Sequence, residues 1–310
     1  MVKTLLEWRK MINRKSLISF LAIAFGISWL LFVLPWFFKS SPSFATIMTA
    51  AFATAMWGPG LAAILTTTLV EKKPFSSLRL NTLGDRRFYL WAWLLPFALT
   101  LLTLGVTILL RTGELDTSLG MMRDVLSKAP AGTPLPSPEQ AVAIQLLFAV
   151  TIAPLVNVLF ALGEELGWRG FLLPHLLPLG QWPAILISGA IWGFWHAPTT
   201  LLFGYNFPQH PYLGVLAMIV GCTLLGTILS WLYLNTRSPW TSALAHGAVN
   251  AAPGLAIFFL KPGFDTALGG TLLGLAGWST MSIFIAWLVW SKRLPAISPA
   301  STAASQPDTL

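Results

Sequence analysis

The sequence predicts an all-helical polytopic membrane bundle of about eight transmembrane helices. Charged residues make up only 10% of its 310 residues, against about 25% in a soluble globular protein. Hydrophobic residues reach 55%, with 15 Trp and 20 Phe. Stretches free of Lys, Arg, Asp and Glu run over 16–38, 40–70, 88–110, 140–163, 170–236, 238–260 and 266–291. A helix crosses a bilayer with ~20 apolar residues, so each stretch holds one span and 170–236 holds two. The runs are continuously apolar, whereas the strands of a membrane β-barrel are short and alternate. A soluble enzyme, a disordered chain and a disulfide scaffold are excluded. The single Cys222 leaves no intramolecular disulfide and no multi-cysteine metal site.

The expected elements follow in order. A basic segment, 1–16, carries Lys3, Arg9, Lys10, Arg14 and Lys15. The apolar run behind it exceeds the ~7–15 residues of a signal-peptide core, which predicts a retained first span. The spans are expected near 17–38, 44–70, 88–110, 141–163, 182–203, 214–235, 239–260 and 269–290. Pro35, Pro59, Pro96 and Pro154 fall inside them, where prolines are tolerated and bend helices. The longest polar connection, 111–140, carries Glu114, Asp116, Asp124 and Glu139 and is placed outside. Residues 17–140 then form an N-terminal helical region, 141–260 a catalytic core, 261–290 the last span, and 291–310 a Ser/Ala/Pro-rich tail expected to be disordered.

Charge sets the expected orientation. The formal net charge is +8, but the cations sit in short clusters flanking apolar runs, which argues for topology and against a nucleic-acid partner. With the N-terminus inside, 14 of the 19 Lys and Arg fall on the cytoplasmic side, Arg169 and Arg237 among them. Both termini of this multi-pass protein are therefore expected in the cytoplasm; the lack of organelle signals and the Trp/Leu-rich style fit a bacterial cell membrane.

Ionisable groups inside membrane helices are costly and mark functional cavities. Three places qualify. Glu164-Glu165-Leu166-Gly167-Trp168-Arg169 closes the fourth span. Adjacent glutamates on a helix point ~100° apart. Glu165 and Arg169 have the i,i+4 spacing of an ion pair, which frees Glu164 to face another helix. His196 follows Trp192 by one turn and precedes Pro198, so Trp192 is expected to wall its pocket. His246 and Asn250 share a face of the seventh span, with Gly247 and Ala248 allowing close approach. Each motif alone also reads as packing: a solvated charge cluster, a core histidine, an interhelical clamp. His175, His210, Asn157 and Arg237 are weaker candidates for chemistry.

Together the three form the inventory of a hydrolytic site. A carboxylate and an imidazole can deprotonate water, and a second His with an Asn can donate to the oxyanion. A metal-assisted alternative takes Glu164, His196 and His246 as a His₂Glu zinc set. No H-E-x-x-H pattern is present. One tension remains: Glu164 falls at a span edge while His196 lies ~20 Å into its helix at ~1.5 Å per residue. The two can meet only if the fourth span sits deeper.

The order E-E-x-x-x-R, then W-x-x-x-H, then H-x-x-x-N resembles the CAAX protease and bacteriocin-processing family of intramembrane proteases, also called the Abi family. The resemblance covers roughly 145–260. It implies an eight-span helical core with a cavity open to the cytoplasm, cleaving a peptide or protein substrate at the lipid bilayer. It implies Glu164 and His196 as the water-activating pair, Glu165 and Arg169 in support, and His246 and Asn250 at the oxyanion. Trp192 stands where many members have Phe, a difference expected to bear on cavity shape. Members are described both as zinc enzymes and as glutamate-dependent ones, and some act in lipidated-peptide trimming, others in bacteriocin processing or immunity. A non-catalytic scaffold or immunity protein is the competing expectation. A transporter would need inverted repeats, which the sequence does not show.

Overall fold

The computed structural model describes residues 12–130 and 132–295. Lys3, Arg9, Lys10 and the tail from 296 lie outside the described residues. Among those described, the chain is helical without a β-sheet; its single bridge joins Leu115 and Leu260. Helix α1 (Arg14–Val33) opens on Asn13, whose side chain accepts from Ser16 N at 3.2 Å, and passes at Pro35 into a 3₁₀ turn ending at Phe38. Helices α2 (Phe44–Ala55) and α3 (Gly58–Leu65) run on into a π turn, Thr66–Val70. Helix α4 is Arg87–Leu109, and α5 (Gly120–Ser127) lies in the long polar connection.

Helix α6 (Pro138–Thr151) starts with a capping box between Ser137 and Gln140. Helix α7 (Ala153–Glu165) continues through a π segment, Leu166–Leu172, into α8 (Leu173–Leu176). Then come α9 (Gln181–Trp195), α10 (Ala197–Phe203), α11 (Pro211–Thr236), α12 (Pro239–Ala251), α13 (Gly254–Ile257) and α14 (Leu275–Trp290).

Among the described residues, five segments are long and apolar enough to cross a membrane: Arg14–Phe38, Phe44–Val70, Arg87–Leu109, Gln181–Phe203 and Pro211–Thr236. A sixth counts if Pro138–Thr151 and Ala153–Leu179, bent by 50° against each other, form one broken span. The expected number of eight is therefore not reached, for local reasons. Pro154 has no N–H to bond the Val150 carbonyl one turn back, and its ring crowds that carbonyl, so the fourth run breaks at Ile152 and restarts, reaching Leu179 instead of ending near 163. Pro253 and Gly254 stop the seventh run after Ala251. The eighth begins only at Leu275, behind a segment holding Gly263, Gly269, Gly270 and Gly274.

Polar groups sort to the two ends of the bundle. At one end His175 Nε2 meets Glu71 Oε1 at 2.7 Å, Trp240 donates to the Leu80 carbonyl at 2.8 Å, and Trp231 to that of Arg293 at 3.1 Å. At the other, His210 pairs with Asp265 at 2.7 Å and Lys261 with Glu114. Arg169 belongs to neither end. It is 1% exposed inside the bundle, so it is not one of the orientation-setting cations. The core beside it is aromatic: Phe20 of α1 stacks on Phe171 at 4.8 Å, and Trp168 meets Trp195 edge-on at 6.0 Å.

Glu71 ties the end of the second span to α8. Burial alone would raise its carboxyl, but the His175 hydrogen bond and charge, with Lys73 beside it, bring the pKa from 4.5 down to about 2. A carboxyl lowered on folding adds stability above its unfolded pKa and loses it as pH falls through the folded one. The Glu71 contribution should therefore disappear between pH 4.5 and about 2. In detergent melts, Glu71→Gln should unfold at lower temperature than the parent at pH 6, with the gap closing across that window. A gap constant down to the acid end would contradict this role.

Candidate active site

The site is assembled where the π segment meets α9, α11 and α12. A π turn widens the helix by one residue and recurs at functional sites. Here it carries Trp168 and Arg169 directly after Glu164 and Glu165. Arg169 Nη1 donates to Glu165 Oε1 at 2.8 Å, the i,i+4 pair expected from the spacing. The same oxygen accepts from His246 Nδ1 of α12 at 2.9 Å. The guanidinium carbon lies 4.6 Å from the centre of the Trp192 ring, a favourable cation–π placement. Gly226 of α11 leaves the room: a Cβ there would stand 3.0 Å from Arg169 Nη2. Glu165 Oε1 thus takes two charged partners, while its Oε2 is buried without a hydrogen bond.

Glu164 turns the other way, as adjacent helical residues must. Its Oε2 accepts from Trp192 Nε1 at 2.6 Å and from Trp168 Nε1 at 3.4 Å. Its Oε1 takes no hydrogen bond among the described residues. Sequence reasoning missed Trp168 altogether, although its i+4 position from Glu164 was a signal, and read Trp192 only as a wall.

His196 sits at the junction of α9 and α10, its Nδ1 3.0 Å from the Trp192 carbonyl. A carbonyl only accepts, so Nδ1 carries the proton and Nε2 of the neutral ring keeps its lone pair. Trp195 holds the ring edge-on at 4.8 Å. His246 meets Trp192 edge-on at 5.2 Å. Asn250, one turn further along α12, is exposed and makes no hydrogen bond to the cluster. Asn157 bridges helices, donating to the Gly247 carbonyl at 3.1 Å. Glu164, Glu165, Arg169, His196 and His246 are therefore gathered around Trp192, with Asn250 at the margin.

The depth conflict in the sequence disappears with the corrected boundaries. Glu164 lies near the middle of the continuous helical stretch Ala153–Leu179 rather than at a span edge. The zinc set of the metal-assisted alternative does not assemble in this arrangement. Among the described residues no three His, Cys, Asp or Glu side chains group so as to hold a metal ion. Glu164, His196 and His246 accordingly do not form such a group in this arrangement.

Gly189 and Gly193 bring α9 against α11. A Cβ on Gly193 would lie 2.4 Å from Ile219 Cα and 2.6 Å from the Met218 carbonyl, both backbone. Gly193→Ala should part the helices that carry Trp192 and His196, costing about 1–3 kcal/mol and lowering the melting temperature. Gly26→Ala, with nothing within 4 Å of its Cβ in the interior of α1, is the control and should leave the melting temperature unchanged or raise it, Ala being favoured over Gly in a helix by about 0.5–1 kcal/mol. Equal melts for both would contradict this packing.

The chain has no match among curated proteins. Residues 140–252, which hold the whole cluster, match the family model described as type II CAAX prenyl endopeptidase Rce1-like, and over that segment the chain is similar to this family.

Proposed function

We propose that the chain is an intramembrane endopeptidase hydrolysing peptide bonds of membrane-proximal or lipidated substrates. The observation that carries this reading is the division of labour between two neighbouring glutamates. Glu165 holds both charged partners, Arg169 and His246, on Oε1, with Oε2 sealed in the interior, while Glu164 is held only by indole N–H groups on Oε2 and has no cation bonded to it. In the proposed reaction a water bound at Glu164 Oε1 gives its proton to the pair formed by Glu164 and His196 Nε2. Its oxygen attacks the scissile carbonyl. The tetrahedral oxyanion accepts hydrogen bonds from His246 and from the Asn250 carboxamide. Glu165 beside Nδ1 supports a doubly protonated His246, whose Nε2–H is then the donor. Collapse breaks the C–N bond, and the proton held by Glu164 and His196 passes to the leaving amine.

We also infer that residues 141–260 act as the catalytic core and that both termini are cytoplasmic, in a bacterial cell membrane. The basic residues Arg14, Lys15, Lys72, Lys73, Arg79, Arg237, Lys292 and Arg293 all lie in segments at one end of the bundle, which supports this orientation.

Glu164→Ala and His196→Ala should each lower turnover of a membrane-proximal peptide in liposomes by about 10²–10⁴-fold, the range for a lost general acid–base group. Melting temperatures checked in parallel show whether the variants are folded. Undiminished turnover by a folded variant would overturn the mechanism.

A further inference from the structure

Trp192 is the one described residue that reaches four members of the cluster. Its indole N–H donates to Glu164 Oε2 at 2.6 Å, and its ring face carries Arg169 at 4.6 Å. His246 lies edge-on to that ring at 5.2 Å, and the Trp192 carbonyl accepts from His196 Nδ1 at 3.0 Å. The side chain is 2% exposed, so no bulk water competes for that N–H. The other donor to the same carboxylate, Trp168, stands at 3.4 Å, well beyond the ~2.9 Å at which such bonds are strongest. Orientation of Glu164 therefore rests mainly on Trp192.

We propose that Trp192 is a positioning residue, whose indole N–H fixes the Glu164 carboxylate so that Oε1 is presented to the reacting water. This rests on the endopeptidase reading above. The same residue sets both halves of the water-activating pair, Glu164 through its side chain and the His196 tautomer through its carbonyl. A phenylalanine at this position would keep a ring beneath Arg169 and against His246 but would lose the donor. The tryptophan thus bears on the chemistry and not only on cavity shape.

The decisive variant deletes the N–H while preserving ring size and packing. Replacing Trp192 site-specifically with β-(3-benzothienyl)alanine exchanges the indole N–H for sulfur. A hydrogen bond to a charged group accounts for about a 10- to 100-fold effect, so kcat per folded protein should fall by about that factor. KM should stay within about twofold, because the substrate-binding surface is untouched. Trp192→Phe should lose at least as much. The same benzothienyl exchange at Trp168 should lower kcat less, matching its longer contact.

Unchanged kcat in the benzothienyl variant, with Glu164→Ala inactive, would overturn the positioning role and leave the endopeptidase reading intact. A loss that vanishes once rates are normalised to folded protein, or one expressed in KM alone, would also overturn it. Full activity of a folded Glu164→Ala protein would overturn both.

Discussion

A guanidinium held in the apolar interior is the constraint around which the site is built. Arg169 stays charged at any accessible pH, and insertion scales put such a side chain at about 2.5–3.5 kcal/mol in the centre of a membrane helix. Three features meet that cost: the carboxylate of Glu165, the face of Trp192, and the clearance left by Gly226. Once Glu165 is committed to Arg169, helix geometry turns Glu164 toward α9. The ion pair is the reason that one glutamate of the two is left for chemistry.

The rest of the bundle serves the same arrangement. Gly247 lets α12 approach α7 closely, since a Cβ there would meet the Pro154 carbonyl at 2.9 Å. That contact brings His246 to Glu165. Gly193 does the same for α9 and α11 and so seats Trp192 over Arg169. The π segment extends the fourth run past its expected end and carries the two glutamates to mid-bundle depth. His175, one turn beyond, fastens that extended helix to Glu71 at the basic end.

Helicity, membrane class and the Glu165–Arg169 pair were legible in the sequence. Composition sets the solvent, and an i,i+4 ion pair needs only one helix. The number of spans was less legible, because hydropathy measures the length of an apolar run and does not register the break that Pro154 or Pro253 imposes. The position of Glu164 was misread for the same reason: the charge itself looked like the end of a span. The indole donors were invisible because they are tertiary contacts, Trp192 reaching Glu164 across 28 residues. Asn250 shares a helix with His246 but lies in its last turn, where the helix emerges from the packed core.

A double-mutant cycle on Glu165 and Arg169 tests the central constraint most directly. Unfolding free energies in detergent would be compared for Glu165→Gln, Arg169→Gln and the double variant. Breaking a buried pair from one side leaves a charge or a polar group uncompensated, at about 3–5 kcal/mol. Each single variant should lose stability on that scale, and the double should lose less than either. Losses that simply add would show that the two side chains do not depend on each other, and would contradict the ion pair as the basis of the site.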